Sequence, residues 1–207
     1  MHVCERGDEL AVTGMRRGEC LGLRVRDLHL DASPPHIEVR QTVTLVDGEI
    51  RVADRTKTDE PREVRLDEET VELLREHLWE RARSRVAGVD ELNARRATLA
   101  PDAFVFPAKD GGPMNPEWFS REFRRAIERV NRPDIGLGLR PRRLHDLRHL
   151  HATEMLRLGV PLADVAERLG HSEARTTLDV YGHPTDDAED VAMARWSAAR
   201  SAARDAG

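Results

Sequence analysis

The stretch that decides the fold is IEVRQTVTLVDGEIRVADRTKTDEPREVRL, residues 37–66. From Ile37 onward apolar and polar residues alternate, which is typical of a half-buried strand, until an Asp-Gly pair at 47–48 offers a tight hairpin turn. The alternation resumes after that pair, and a second turn at 57–61 leads to a third short strand. The stretch therefore predicts a three-stranded antiparallel meander.

The sequence on both sides of this stretch is mainly helical, because its apolar residues recur every three to four positions. A Thr-Gly turn at 13–14 leads into a short helix, Asp67 predicts a helix N-cap, and 87–114 reads as a long surface loop around the apolar piece FVF. The longer helices are predicted near 67–86, 115–131, 145–158, 162–169, 173–181 and 187–203. We therefore predict an α+β fold, mainly helical, with a small three-stranded antiparallel sheet.

Length and composition set the class of the protein. The 207 residues are 39% hydrophobic, which suffices for one domain with a core. No apolar run approaches the ~18 residues of a membrane span, and the first residues lack the pattern of a signal peptide, so we expect a cytoplasmic chain. Cys4 and Cys20 predict two reduced thiols without a chemical role.

The charge distribution is more informative than the total. The net charge of −5 argues against a general polyanion binder. Arginine is nevertheless concentrated within 121–148, whereas acidic residues dominate 59–72, 90–91 and 186–190. One face of the protein can therefore be basic in an acidic chain.

The stretch LHDLRHLHATEMLRLG, residues 144–159, places His145 and Arg148 on one helix face. A guanidinium at the end of an apolar stripe favours a bound anion, and the alternatives are a snorkelling arginine or a pair with Asp146. The three histidines of this stretch do not predict a metal site, because the HExxH pattern and an acidic third ligand are absent.

The next stretch, VPLADVAERLGHSEARTTLDVYG, predicts two short helices joined at Gly-His-Ser, an arrangement similar to a helix-turn-helix. His171 lies in the connection, where it either caps a helix or contacts a polar ligand. Tyr181 follows and is the only tyrosine of the chain. As a nucleophile it would need a base and surrounding positive charge, because its pKa is ordinarily about 10, and the alternative is a packing role.

A set of dispersed residues matches the needs of one reaction. Attack of a phenol on a phosphodiester places negative charge on the non-bridging oxygens, which guanidinium and imidazole groups stabilise best. The departing alkoxide needs a proton, which a lysine on a hairpin can donate. The complete set is Arg16, Lys57, His145, Arg148, His171 and Tyr181.

The sequence resembles the tyrosine recombinases, the phage-integrase family of site-specific DNA recombinases. Five motifs occur in the family's order and span about residues 10–185. They are TGMRRGECLGLRVRDL, RTKTDEPREVRL, HDLRH, LGHS and TLDVYGH. The resemblance implies the tyrosine recombinase catalytic-domain fold and the cleavage and rejoining of double-stranded DNA.

The resemblance also implies a role for each residue of the set. Arg16 and Arg148 would bind the scissile phosphate, His171 would donate to the same oxygens, and Glu19 would orient the arginines. Lys57 would protonate the departing 5′ oxygen, His145 would assist proton transfer, and Tyr181 would form a 3′-phosphotyrosyl intermediate. The mechanism needs no metal and no nucleotide cofactor.

The family's usual organisation sets further expectations. Its members carry an N-terminal DNA-binding domain, whereas this sequence has twelve residues before Thr13, so residues 1–207 are expected to form a single catalytic domain. The tail helix at 186–207 would contact a neighbouring protomer in a tetramer on DNA. The alternatives are an impaired integrase remnant and a non-catalytic DNA-binding module that uses the helix-turn-helix look-alike at 161–181.

Overall fold

The alternating stretch forms two separate antiparallel sheets in the computed structural model, which describes residues 13–54, 61–85, 99–133, 135 and 143–170. Five strands lie in these residues: β1 (Leu28–His29), β2 (His36–Val39), β3 (Gln41–Val46), β4 (Glu49–Asp54) and β5 (Arg62–Arg65). The α-helices of the described residues are α1 (Arg17–Gly22), α2 (Glu68–Arg85), α3 (Pro116–Val130), α4 (Leu144–Arg157) and α5 (Leu162–Leu169). The predicted turn at 57–61 lies largely outside this part of the chain, and the predicted helices near 173–181 and 187–203 lie wholly outside it.

The sheets confirm the predicted three-stranded sheet but correct which strands form it. Strands β3 and β4 make the predicted hairpin around the Asp-Gly turn, whereas β5 pairs with β2 and not with β4. The strand from Ile37 also ends before Arg40, and the short β1 completes the sheet β1-β2-β5. The physical reason is burial: Val64 of β5 reaches the core only opposite Ile37, while every residue of β4 is exposed.

The helices begin and end where the local signals predict. The backbone N–H of Thr70 donates to the Asp67 carboxylate at 2.8 Å, which confirms Asp67 as a capping residue of α2. Asn115 caps α3 by accepting from the N–H groups of Glu117 and Trp118. The four predicted helices that fall within the described chain agree with the observed ones to within about two residues at each end.

The core lies between the three-stranded sheet, α1 and the apolar piece at 104–106. This piece was predicted as part of a surface loop, but all three of its residues are buried, and Val105 N donates to Leu23 O at 2.8 Å. A run of three apolar residues has no polar face to present to water, and burial follows. A second, smaller core joins α4 and α5 through Ala152, Val165 and Leu169. Among the helices described, none is long and apolar enough to span a membrane.

Candidate active site

Four of the residues predicted for the site lie in the described chain. Arg16 immediately precedes α1 and Glu19 lies within it, while His145 and Arg148 lie on α4. The other three predicted residues, Lys57, His171 and Tyr181, lie outside the described residues. The geometry of the site is therefore that of its arginines, one carboxylate and one histidine.

Arg148 is a buried arginine whose guanidinium joins two distant parts of the chain. Its Nη1 donates to Gly14 O at 2.7 Å, and its Nη2 donates to Leu169 O at 2.6 Å. The residue is 4% exposed, which excludes the snorkelling alternative. Asp146, the alternative partner, accepts from the N–H of Arg143 and caps α4.

Arg16 is the more accessible of the two arginines. Its Nη1 donates to Glu19 Oε1 at 2.9 Å, and its Nη2 donates to Gly170 O at 3.0 Å. The side chain is 42% exposed, whereas that of Glu19 is 2% exposed. Arg16 therefore presents part of its side chain to solvent while a buried carboxylate anchors its guanidinium.

Glu19 remains charged although it is buried. Burial by itself raises its pKa, but hydrogen bonding and positive charge from Arg62, together with the backbone N–H and the charge of Arg16, hold that pKa at about 2. Arg62 contributes two hydrogen bonds, from Nη1 at 3.2 Å and from Nη2 at 2.6 Å. Such a two-pronged, charge-assisted pair is a strong way to satisfy a buried carboxylate.

The C-terminal end of α5 is the place where these arginines meet. Three consecutive backbone oxygens, those of Arg168, Leu169 and Gly170, each accept from a different arginine, and we call them the carbonyl cluster. Their donors are Arg62 Nε at 2.9 Å, Arg148 Nη2 at 2.6 Å and Arg16 Nη2 at 3.0 Å, respectively. The free carbonyls at a helix end carry partial negative charge, so the cluster stabilises guanidinium groups gathered there.

Gly170 ends α5 in the left-handed conformation that its sequence position predicted, with φ +66°. A Cβ atom at this position would lie 2.7 Å from Arg62 Nη1. The absence of a side chain therefore allows Arg62 to approach the helix end.

His145 lies on α4, and its side chain is largely exposed. Its ring packs edge to face against that of His149, with the two ring centroids 4.5 Å apart. Partial burial lowers its pKa, and electrostatic interactions with His149, Arg148 and Arg16 lower it further, against the opposing effect of Asp146. The imidazole is therefore neutral at neutral pH and able to accept a proton. His145 lies three positions before Arg148 on α4, which places both residues on one face of that helix.

Sequence reasoning missed three participants: Arg62, His151 and Arg168. Arg168 Nε donates to His151 Nε2 at 3.0 Å, and its Nη1 donates to Arg65 O at 3.0 Å. One available signal for Arg62 was the alternation of side chains along a strand. Arg62 lies two positions before buried Val64, so both side chains lie on the inward face of β5. His151 was considered only as a metal ligand, and within the described ranges no group of three or more His, Cys, Asp or Glu could hold a metal ion.

His151 makes stability depend on pH. Burial, followed by the charges of Arg168 and Arg148, lowers its pKa from 6.5 to about 4. Between these two values the unfolded chain binds a proton that the folded chain does not, so the free energy of unfolding falls as pH falls. We expect a loss of about 2 kcal/mol between pH 7 and pH 4.5, after allowance for solvent screening, in urea unfolding experiments.

The variant His151→Asn separates this effect from other titrations, because it should flatten the pH dependence in that window. Glu19 acts in the next window, since its lowered pKa contributes stability that is lost only as pH falls from 4.5 towards about 2. An unchanged slope between pH 6.5 and pH 4.5 in His151→Asn would contradict the prediction.

Comparison with known proteins identifies the family. The sequence model described as the phage integrase family matches residues 9–188. The chain belongs to the phage integrase family. Among curated members, the ICEBs1 integrase of Bacillus subtilis strain 168 is 31% identical over 172 residues, covering 83% of this chain and 42% of that protein. A XerC-like tyrosine recombinase of Caldanaerobacter subterraneus subsp. tengcongensis is 28% identical over 181 residues, covering 83% and 43%.

Solved structures confirm the fold of this integrase-family chain. The Tn1549 transposon integrase, in complex with transposon right end DNA, superposes with a TM-score of 0.71 at 21% identity, covering 93% of this chain and 58% of that one. This confirms the predicted tyrosine recombinase catalytic-domain fold. The chain spans less than half the length of the two curated relatives.

Proposed function

We propose that this chain is the catalytic domain of a site-specific DNA recombinase that cleaves and rejoins double-stranded DNA through a 3′-phosphotyrosyl intermediate. The observation that carries the proposal is the convergence of Arg16 and Arg148, from opposite ends of the described chain, on neighbouring oxygens of the carbonyl cluster. Relatives named as integrases and as a tyrosine recombinase support the same activity.

The two arginines suit the charge that develops in the reaction. Tyr181 Oη would attack the phosphorus, the bond to the 5′ oxygen would break, and negative charge would grow on the two non-bridging oxygens. Fixed guanidinium groups stabilise that charge without reorganising when it forms. Arg148 is fixed by burial and Arg16 by Glu19, while His171, the residue after the carbonyl cluster in sequence, would donate to the same oxygens.

Proton transfer completes the proposed step. Neutral His145 would accept the proton from Tyr181, and Lys57 would give a proton to the departing 5′ oxygen. The energy of the broken phosphodiester is retained in the tyrosyl ester. Attack of a DNA 5′ hydroxyl on that ester reverses the step, so rejoining requires no metal and no nucleotide.

An exposed basic stripe on α3 supports DNA as the partner. The stripe lies on the face opposite the buried Phe119 and Phe123. It combines an aromatic residue with arginines at helical spacing, namely Trp118, Arg121, Arg125 and Arg129, all of them exposed. Phosphate contacts need clustered cations of this kind even in a chain of net charge −5. The DNA in the Tn1549 integrase complex supports the same partner.

The assembly and location belong to the same proposal. Recombination of two duplexes cuts four strands, which calls for four active sites and hence a tetramer on DNA. The segment 186–207, which is predicted as a tail helix and lies outside the described residues, would supply the contact between protomers. We also predict a cytoplasmic location, because the DNA of a bacterium such as the source of the ICEBs1 integrase lies in the cytoplasm.

The test is covalent capture of DNA. Duplexes selected for binding to the full chain are rebuilt with a nick next to each candidate cleavage position. After cleavage the short fragment that carries the free 5′ hydroxyl dissociates, so rejoining cannot follow and the adduct accumulates. We expect the wild-type protein to form an adduct that survives a denaturing gel, and Tyr181→Phe to form none.

Two results would overturn the proposal. The first is an adduct that persists in Tyr181→Phe, because another residue would then be the nucleophile. The second is a wild-type chain that binds the selected duplexes and forms no adduct at any nick, which would favour an impaired remnant or a non-catalytic DNA-binding module. The module already has less support, since Gly170 of its turn accepts a hydrogen bond from Arg16.

A further inference from the structure

Resting on the proposed function, we propose that Arg62 is a positioning residue for DNA cleavage, which fixes the guanidinium of Arg16 without contacting the DNA. It lies at the start of β5 and does not belong to the set of residues predicted for the site. The argument follows from what Arg62 touches and from what Arg16 depends on.

Arg62 uses all of its guanidinium nitrogens inside the protein. Its Nε donates to Arg168 O at 2.9 Å, and its Nη1 and Nη2 donate to the two oxygens of Glu19. The side chain is 9% exposed. Three of its five N–H donors are held by Glu19 and by the end of α5, so we infer that Arg62 acts on cleavage through these partners.

One of those partners, Glu19, also anchors Arg16, and the other lies at the helix end that provides the second anchor of Arg16. Arg16 donates to Glu19 Oε1, the same oxygen that accepts from Arg62 Nη1. Its other anchor is Gly170 O, two residues beyond the Arg168 carbonyl that Arg62 binds. Arg62 therefore holds both the carboxylate and the helix end that determine where the Arg16 guanidinium lies.

Loss of Arg62 would affect Arg16 more than Arg148. Arg16 is 42% exposed, so its long side chain can adopt other rotamers once an anchor moves. Buried Glu19 would lose the arginine that lowers its pKa most, and that pKa would rise because burial already favours the neutral form. A protonated Glu19 holds Arg16 less firmly than a carboxylate does.

The experiment compares Arg62→Gln, Arg62→Lys and the control Arg65→Gln in the full chain. Arg65 is exposed on the same strand, so the control removes an equal charge without touching Glu19. The adduct rate on a nicked duplex and the dissociation constant for that duplex are measured at a temperature where circular dichroism shows every variant folded. We expect Arg62→Gln to lower the rate about 100-fold with the dissociation constant changed less than about twofold.

Two further readouts distinguish positioning from general structural support. Arg62→Lys should recover part of the rate, because it restores the charge next to Glu19 but not the two-pronged pair. The acid limb of the rate should move to higher pH in Arg62→Gln, and carbon-13 NMR should show the pKa of Glu19 rising from about 2 towards its ordinary value.

The proposal is overturned if Arg62→Gln cleaves as fast as wild type, if Arg65→Gln loses as much activity, or if the acid limb stays in place. A wild-type chain that binds the duplex without forming an adduct overturns the proposed function and, with it, the role in cleavage. The NMR titration needs no DNA, so an unmoved Glu19 pKa counts against Arg62 alone.

Discussion

Arg148→Ala is expected to lower the rate of covalent adduct formation about a thousandfold. Arg148 is a fixed charge that cannot be replaced by a neighbouring side chain, because its guanidinium is buried and directed by Gly14 O and Leu169 O. Alanine removes the charge and leaves two buried carbonyl oxygens without this donor. The free energy of unfolding should therefore also fall, by about 2 kcal/mol.

The loss of activity has to be separated from the loss of stability. The adduct rate is measured at a temperature where circular dichroism shows Arg148→Ala folded, with Arg157→Ala as the matched control. Arg157 lies on the same helix, is 69% exposed and pairs with Glu154, so its removal should leave the adduct rate unchanged. An adduct rate within tenfold of wild type in folded Arg148→Ala would remove this arginine from the proposed mechanism.

Gly14→Ala is expected to lower the free energy of unfolding by about 3 kcal/mol. Gly14 has φ +67°, a conformation that L side chains rarely adopt, and a Cβ atom there would lie 2.5 Å from His151 Cδ2. Either the turn or the histidine must move. Since Gly14 O accepts from Arg148, a shift of the turn should also slow adduct formation.

The matched control for Gly14→Ala is Gly48→Ala in the hairpin turn. Gly48 has φ +81°, but a Cβ atom there would meet no other atom within 4 Å. Its substitution therefore measures the conformational cost alone, about 1 kcal/mol. Equal losses for the two variants in urea unfolding would show that the contact with His151 has no energetic weight.

The elements of the fold could be predicted because their signals are local. Asp67, Asn115 and Gly170 each act on backbone groups within a few residues, and the Asp-Gly turn fixes its own hairpin. The partner of β5 could not be predicted in this way. The alternation of apolar and polar residues indicates that the side chain of Val64 is buried. However, β2 and β4 show the same alternation, and only the packing of the core selects β2 as the partner of β5.

The same distinction between local signals and long-range packing applies to the residues of the candidate site. Arg16 and Arg148 were predicted from the chemistry that a phosphodiester demands and from the motifs that carry them, and their role in the reaction stays a prediction. Arg62 was not, because its partners lie 43 and 106 positions away in the sequence and no local pattern relates them. His151 is similar: its low pKa arises from Arg168 and Arg148, which only the packing of α4 against α5 brings together.

The carbonyl cluster has a consequence for how sequences of this kind can vary. Every amino acid carries the same main-chain oxygen, so Arg62, Arg148 and Arg16 recognise where α5 stops and not which side chains it carries. Inserting or deleting one residue within α5 would turn its last carbonyls by about 100° around the helix axis and away from all three donors. We therefore expect a change in the length of this short helix to disturb the three arginines more than a substitution at one of its exposed positions.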